Sequence, residues 1–173
     1  MSMSVTTLLT EEEFLNLPEF SGRQEFRDGE LIEVPPATYA HSELIRRIAH
    51  LLLSVLPESR VWIETGFQLR KHRWVVPDIC VTWPDQPRAN GWFQRSPMLA
   101  IEVASRGNTP DQLQQKVMDY LEEGAAEVCV IYPKSRTMVV YRPDATVNII
   151  AGMSYRCDLL GLTFTPEYRT EVE

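Results

Sequence analysis

The sequence has little cysteine and no long hydrophobic run. Its cysteines, Cys80, Cys129 and Cys157, lie far apart within apolar segments, with no Cys-x-x-Cys pair and no histidine at ligand spacing. This pattern argues against a disulfide scaffold or a cysteine-based zinc site, and it is typical of buried thiols in a reducing compartment. The longest apolar candidate, residues 51–56, is far short of the ~18 residues needed to span a membrane.

Basic residues are also scarce. The chain has 17 Lys and Arg against 24 Asp and Glu, a formal net charge of -7. Because proteins that bind phosphate backbones usually present a basic face, this balance argues against tight non-specific DNA binding, although a local basic groove remains compatible with it. The first residues lack a basic region followed by an apolar core, so we expect no signal peptide and a cytoplasmic location.

The length of 173 residues fits one domain, and we predict that residues 1–173 form it. Capping signals predict a short helix after Thr10 and a longer one from Thr109 to Gly124, and apolar spacing predicts a helix over residues 41–56. Asp28-Gly29 indicates a β-hairpin, Lys71-His72 a second hairpin turn, and residues 84–97 a long connection. Further alternating segments predict more strands, and the domain is therefore expected to be mixed α+β. A strand over residues 98–104, the Thr109 helix and a strand over residues 128–132 are predicted to form one parallel crossover.

Two predicted strands each carry one carboxylate in an apolar setting, Asp78 and Glu102. Burying an unpaired charge costs several kcal/mol, so two such exceptions indicate a shared partner. Alternation places both acids on the strand faces that carry small residues such as Cys80 and Ala100. If the strands are neighbours, the two carboxylates could coordinate one divalent cation.

Lys116 lies on the helix that follows the Glu102 strand, at the edge of that helix's apolar stripe, and can reach back towards the acids. Oxygen ligands without Cys or His favour Mg²⁺ or Mn²⁺ over zinc, and such a group of residues is suited to metal-assisted phosphodiester hydrolysis. On spacing alone, a structural salt bridge between the acids and Lys116 or an arginine is an equally good interpretation.

Several segments together resemble a known family: Gln24-Glu25-Phe26-Arg27-Asp28-Gly29-Glu30, His41, Pro77-Asp78, Ile101-Glu102-Val103-Ala104-Ser105, and the segment from Asp111 through Lys116 and Tyr120 to Gly124. They resemble the Uma-type family of uncharacterised proteins grouped with restriction endonucleases, within the PD-(D/E)XK nuclease superfamily. The resemblance covers residues 10–141. It implies a restriction-endonuclease-like core, a mixed sheet flanked by helices with an N-terminal β-hairpin, and it makes Asp78 and Glu102 the metal-binding acids.

The sequence departs from the superfamily at one position. The catalytic lysine of the superfamily lies two residues after the second acid, where this chain has Ala104, and Lys116 is the candidate that replaces it from the next helix. For a third catalytic acid, Glu25 matches the early strand acid of the family and Glu43 is the second choice; for each, an exposed solvated side chain is the favoured interpretation. His41 could orient a ligand, and capping its helix is the favoured interpretation. Gln68 is a weak further candidate for the same cleft.

The sequence therefore leaves two alternative functions. The first is a Mg²⁺- or Mn²⁺-dependent endonuclease acting on nucleic acid, DNA more than RNA, with Asp78, Glu102, Lys116 and Glu25 as its catalytic residues. A homodimer is expected only by analogy with other nucleases of this fold. The second is an inactive descendant that binds nucleic acid or a protein partner, with Lys116 in a salt bridge where the first function requires a metal ion.

Overall fold

The structure is a computed structural model that describes residues 8–18, 23–105, 107–152 and 154–165. The helices in this part of the chain are α1 (Glu11–Leu15), α2 (Tyr39–Leu53) and α3 (Pro110–Glu122), with a 3₁₀ turn at Glu58–Arg60. The strands are β1 (Arg23–Arg27), β2 (Glu30–Val34), β3 (Val61–Ile63), β4 (Phe67–Arg70), β5 (Arg73–Val75), β6 (Ile79–Val81), β7 (Arg88–Ala89), β8 (Trp92–Gln94), β9 (Leu99–Val103), β10 (Glu127–Tyr132), β11 (Thr137–Tyr141), β12 (Val147–Ala151), β13 (Tyr155–Cys157) and β14 (Leu162–Phe164).

Two mixed sheets carry most of these strands. Sheet 1 has the order β2-β1-β5-β4-β8-β7, and sheet 2 has the order β12-β11-β10-β9-β6-β3. In sheet 2, β9 and β10 are parallel and α3 connects them, which confirms the predicted crossover. The remaining pairs of sheet 2 are antiparallel, so the predicted mixed α+β class is confirmed. Strands β13 and β14 form a separate hairpin.

Helices α1 and α3 begin where their capping residues predict. The side chain of Thr10 caps α1 and that of Thr109 caps α3, each in a reciprocal capping box. Thr38 caps α2, which therefore starts before His41 and ends at Leu53, short of the predicted residue 56. Gly124 follows α3 with a φ of 99°, the left-handed conformation that glycine adopts without steric cost.

The hairpin predicted at Lys71-His72 implies continuous strands over residues 61–70 and 74–83, and each of these is divided between the two sheets. The first ends at Ile63 in sheet 2 and resumes at Phe67 in sheet 1, and the second leaves sheet 1 at Val75 and enters sheet 2 at Ile79. At the first crossing a Cβ on Gly66 would lie 2.0 Å from the Trp92 ring, so only glycine fits there. Apolar and polar residues alternate in the same way before and after such a crossing, so the sequence pattern does not show where the chain passes from one sheet to the other.

Each face of sheet 2 supports a hydrophobic core. On one face, α2 and the β13–β14 hairpin pack against side chains such as Ile79 and Ile101. On the other face, α3 and residues of sheet 1 such as Phe67 pack against Cys80 and Ala100. The second core lies directly beside the predicted acids. No helix among the described residues is long and apolar enough to cross a membrane.

Candidate active site

Asp78 and Glu102 lie next to each other at the end of a strand pair in sheet 2. Strands β6 and β9 are antiparallel neighbours with Ile79 opposite Ile101, and one further step in this register places Asp78 opposite Glu102. Both residues are buried, with relative exposures of 3% and 4%. The predicted adjacency of the two acids is therefore what the structure shows.

Lys116 links Glu102 to Glu25. Its Nζ lies 2.8 Å from Oε1 of Glu102 and 2.8 Å from Oε1 of Glu25, and it also donates to the carbonyl oxygen of Val76 at 3.4 Å. Lys116 was expected at the boundary of the apolar stripe of α3, but it is 7% exposed and belongs to the interior. The amine of Lys116 thus reaches both Glu102 and Glu25 from α3.

Glu25 lies in β1 with its carboxylate turned inward. It is 4% exposed, and its Oε1 accepts hydrogen bonds from Lys116 and from the backbone N–H of Val76 at 3.0 Å. The favoured interpretation of Glu25 as an exposed, solvated side chain is therefore wrong. Glu43 instead pairs with Arg46 and Arg47 on the outer side of α2.

Tyr120 completes the surroundings of Glu102. Its hydroxyl donates to the same Oε1 at 2.8 Å, and its ring is fully buried one turn of α3 beyond Lys116. Two donors therefore share one oxygen of Glu102. Among the residues that the structure describes, no donor contacts the other oxygen, Oε2.

Asp78 has a different set of partners. Its Oδ2 accepts from the backbone N–H of Val103 at 2.7 Å, and its Oδ1 accepts from Arg23 Nη1 at 2.5 Å. The Nε2 of His41 lies 3.4 Å from the same Oδ1. The sequence favoured a capping role for His41, but Thr38 is the cap, and the imidazole is 9% exposed and directed at Asp78.

The burial and charge of the cluster separate the pKa values of its two strand acids. Burial raises the pKa of Glu102 to about 7, with Asp78 and Glu25 acting in the same direction against Lys116. Burial also works to raise the pKa of Asp78, but the nearby imidazole of His41, the charge of Lys116 and the hydrogen bonds from Arg23 and the Val103 N–H outweigh it and lower the pKa to about 2. For Lys116, the neighbouring carboxylates outweigh burial and raise the pKa.

The buried cluster contains more negative than positive groups. Three carboxylates, Glu25, Asp78 and Glu102, face two permanent cations, Lys116 and Arg23. An excess of buried negative charge is unfavourable unless a proton or a further cation compensates it. If a proton compensates the excess charge, the carboxylate that binds it has a raised pKa, and the pKa of Glu102 is raised.

Three contributors to the site had no role assigned from the sequence. Arg23 contacts Asp78, Tyr120 contacts Glu102, and Glu64 lies 3.7 Å from Arg23. The helical spacing of Tyr120 from Lys116 was the available signal for one of them. Gln68, by contrast, belongs to sheet 1 and contacts Glu11, away from the acids.

The donors at the site are carboxylate oxygens, the type that Mg²⁺ and Mn²⁺ prefer. Over the described ranges, no three or more His, Cys, Asp or Glu side chains form a closed cage for a metal ion. A Mg²⁺ site does not require such a cage, because this ion usually binds to one or two carboxylates and completes its shell with water and phosphate oxygens. The Asp78–Glu102 pair fits this open type of site.

The chain is similar in fold to a solved structure and matches a known family. A crystal structure from Anabaena variabilis, described as a putative nuclease belonging to DUF820, matches with a TM-score of 0.75 and 25% identity, over 86% of this chain and 88% of that one. The fold is therefore nuclease-like. Residues 11–164 match the Uma2 family, described as “Putative restriction endonuclease”, and the chain belongs to that family. Among curated proteins, none matches.

Proposed function

We propose that the protein is a metal-dependent endonuclease of the PD-(D/E)XK type that hydrolyses phosphodiester bonds, with DNA as its preferred substrate. The observation that carries the proposal is the pair of buried acids, Asp78 opposite Glu102, with Lys116 Nζ 2.8 Å from Glu102. A carboxylate pair on adjacent strands and a lysine beside it are the groups that such hydrolysis requires. The family of the chain supports the same reaction class.

Asp78 and Glu102 would hold Mg²⁺ or Mn²⁺. When bound there, the ion would polarise the phosphoryl oxygen and lower the pKa of a bound water. Charge balance supports this arrangement, since a divalent ion and one phosphodiester charge together offset the excess negative charge of the cluster. Glu102 then remains deprotonated without a compensating proton, despite its raised pKa.

The remaining groups would act through charge and position. Lys116 would stabilise the negative charge that develops on the phosphate during displacement, as a preorganised ammonium group does in a buried site. Glu25 accepts a hydrogen bond from Lys116 and would help to keep its amine beside Glu102. Tyr120 fixes one oxygen of Glu102 and leaves the other available to the ion.

Membership of the family supports nucleic acid as the partner, and DNA is the finer part of the proposal. A duplex has two strands, and a homodimer would offer one site to each; this expectation comes from analogy with other nucleases. Sedimentation of the protein with and without a DNA duplex would test it, because a monomer in both states contradicts the dimer.

The second candidate is a nuclease-fold protein without catalysis. It is favoured by one observation, the ion pairs of Lys116 with two carboxylates, which satisfy a buried lysine without any metal ion. Under this function the protein would bind nucleic acid or a protein partner, and mutation of Asp78 would change stability but no reaction rate.

The test is cleavage of supercoiled plasmid and of matched DNA and RNA oligonucleotides with Mg²⁺ or Mn²⁺. Wild type should cut DNA faster than RNA, chelation should abolish cutting, and Asp78→Asn and Lys116→Ala should each lose it. Arg156→Gln, which removes an exposed arginine paired with Asp158, is the matched control and should retain full activity. Cleavage that survives both Asp78→Asn and Lys116→Ala refutes the assignment, and nucleic-acid binding without cleavage by wild type favours the second candidate.

A further inference from the structure

Arg23 lies between a buried and an exposed carboxylate. Its Nη1 is 2.5 Å from Oδ1 of Asp78 and 3.7 Å from Oε1 of Glu64. The side chain of Asp78 is 4% exposed and that of Glu64 is 41% exposed, with Arg23 between them at 17%. Arg23 therefore bridges the inside of the site and its solvent-facing rim.

Both oxygens of Asp78 already accept a hydrogen bond. Oδ2 is held by the Val103 N–H, which is part of β9 and fixed in the sheet, whereas Oδ1 is held by the guanidinium at the end of a long side chain. A divalent cation bound to Asp78 would lie within a few Å of that guanidinium, and two cations at such a separation repel each other strongly. Of the two donors, Arg23 is the one able to move.

Glu64 offers Arg23 a second position. The backbone N–H of Glu64 donates to the carbonyl of Asp78 at 3.2 Å, so the two residues lie side by side at the end of β3 and β6. Glu64 has a φ of 47°, a conformation that costs a non-glycine residue energy and persists only where its surroundings enforce it. The backbone thus holds this acid at the rim, within reach of the same guanidinium.

We infer that Arg23 alternates between two positions, on Asp78 when the divalent ion is absent and on Glu64 when the ion is bound, where its guanidinium contacts a non-bridging oxygen of the phosphodiester. The inference rests on the proposed function, because it takes Asp78 as a ligand of the ion. A planar guanidinium suits this role, since it recognises phosphate oxygens and carboxylates with the same hydrogen-bonding edge.

Titration with Mn²⁺ alone tests whether the ion displaces Arg23 from Asp78. Binding is followed by calorimetry or by the electron paramagnetic resonance signal of the free ion. Arg23→Gln removes the competing charge and should bind Mn²⁺ roughly tenfold more tightly, the scale expected for one nearby like charge after solvent screening. Glu64→Gln removes the second position and should weaken binding. Arg23→Lys keeps the charge and should remain near wild type, and Arg156→Gln should equal wild type.

The outcomes separate this inference from the proposed function. If Asp78→Asn binds Mn²⁺ as tightly as wild type, the metal site itself is wrong. If Asp78→Asn loses Mn²⁺ but Arg23→Gln binds no more tightly than wild type, the metal site stands and the movement of Arg23 is refuted. Thermal melting of each variant confirms that the comparison is made between folded proteins.

The phosphate contact has its own measurement. Binding of a fluorescent DNA oligonucleotide in Ca²⁺ should weaken about tenfold in Arg23→Gln, in line with the loss of one charged hydrogen-bond donor, and should be unchanged in Arg156→Gln. Equal affinity of wild type and Arg23→Gln for the oligonucleotide would refute the contact.

Discussion

Two buried glutamates on neighbouring strands have similar partners and different surroundings. Glu102 on β9 is contacted by the Tyr120 hydroxyl at 2.8 Å and by Lys116, and Glu127 on β10 is contacted by the Tyr155 hydroxyl at 2.7 Å and by Arg142 at 3.0 Å. The register of the parallel pair places them on opposite faces of sheet 2.

The difference lies in how the oxygens are used. Tyr155 contacts Oε1 of Glu127 and Arg142 contacts Oε2, so both oxygens are occupied. Lys116 and Tyr120 share Oε1 of Glu102, and within the described residues Oε2 has no donor.

The surrounding charge differs as well. Glu127 faces one arginine, a balanced pair, whereas Glu102 belongs to a cluster with an excess of carboxylates. A buried acid is therefore not in itself evidence of a catalytic site. An unused oxygen together with unbalanced charge is the better indication that a cation binds.

The largest difference between the surroundings of Glu102 and those of Glu127 should appear when the basic side chain beside each glutamate is removed. Lys116→Met leaves Glu25 and Glu102 buried without their shared partner, and we expect a loss of about 3–5 kcal/mol in the free energy of unfolding. Arg142→Met removes a partly exposed cation while Tyr155 still contacts Glu127, and the loss should be about 1.5–3 kcal/mol. Urea unfolding measures both, and equal losses would contradict the distinction between them.

Catalysis should depend on only one of the two glutamates. Glu102→Gln keeps the shape of the side chain but removes a proposed ligand, and we expect kcat/KM for plasmid cleavage to fall about a hundredfold to a thousandfold. Glu127→Gln should leave kcat/KM unchanged when activity is scaled to the folded fraction. A comparable fall in both variants would show that the effect is structural.

The two clusters also differ in how far sequence reasoning could predict them. The alternation of β6 and β9 and the spacing of α3 are local patterns, and they were sufficient to bring Asp78, Glu102 and Lys116 together. Glu64 reaches the site where the chain crosses between the sheets near Gly66, and Arg23 reaches it from β1 of sheet 1; both positions depend on long-range arrangements that have no sequence period.

His41 shows the same limit at a single residue. Its position near the start of a helix favoured capping, which is a local interaction, whereas its contact with Asp78 is made across the fold. Long-range packing also determines the burial of Glu25, because β1 pairs with β5 in sheet 1 and turns that carboxylate towards α3. Local sequence patterns therefore predict the fold class and the central residues of the site better than they predict the partners of those residues.

The pH dependence of stability should reveal the unbalanced charge around Glu102. Its pKa is raised from the usual 4.5 to about 7, so the folded state binds a proton that the unfolded state releases. This contribution to stability is complete below pH 4.5 and is lost as the pH rises through about 7. We expect the free energy of unfolding of wild type to fall by about 1–3 kcal/mol between pH 5 and pH 8 relative to Glu102→Gln.

Urea unfolding of the two proteins at a series of pH values measures this difference. The low pKa of Asp78, about 2, affects stability only at more acidic pH and does not enter this window. Parallel curves for wild type and Glu102→Gln would show that the proton does not bind at Glu102.

The smallest expected effect concerns the two tyrosines. Tyr120→Phe and Tyr155→Phe each remove one hydroxyl from a buried glutamate. Tyr120→Phe should cost about 1–2 kcal/mol of stability, and Tyr155→Phe at least as much, because the Tyr155 hydroxyl also accepts a hydrogen bond from Arg142 at 2.9 Å. Only Tyr120 orients a proposed metal ligand, so Tyr120→Phe alone should weaken Mn²⁺ binding, roughly tenfold, as loss of an outer-shell hydrogen bond does. Because Tyr155→Phe should destabilise the fold at least as much as Tyr120→Phe, a general loosening of the fold would weaken Mn²⁺ binding in both variants. Equal Mn²⁺ affinity of Tyr120→Phe and wild type would mean that Lys116 and the strand hold Glu102 in place without the hydroxyl.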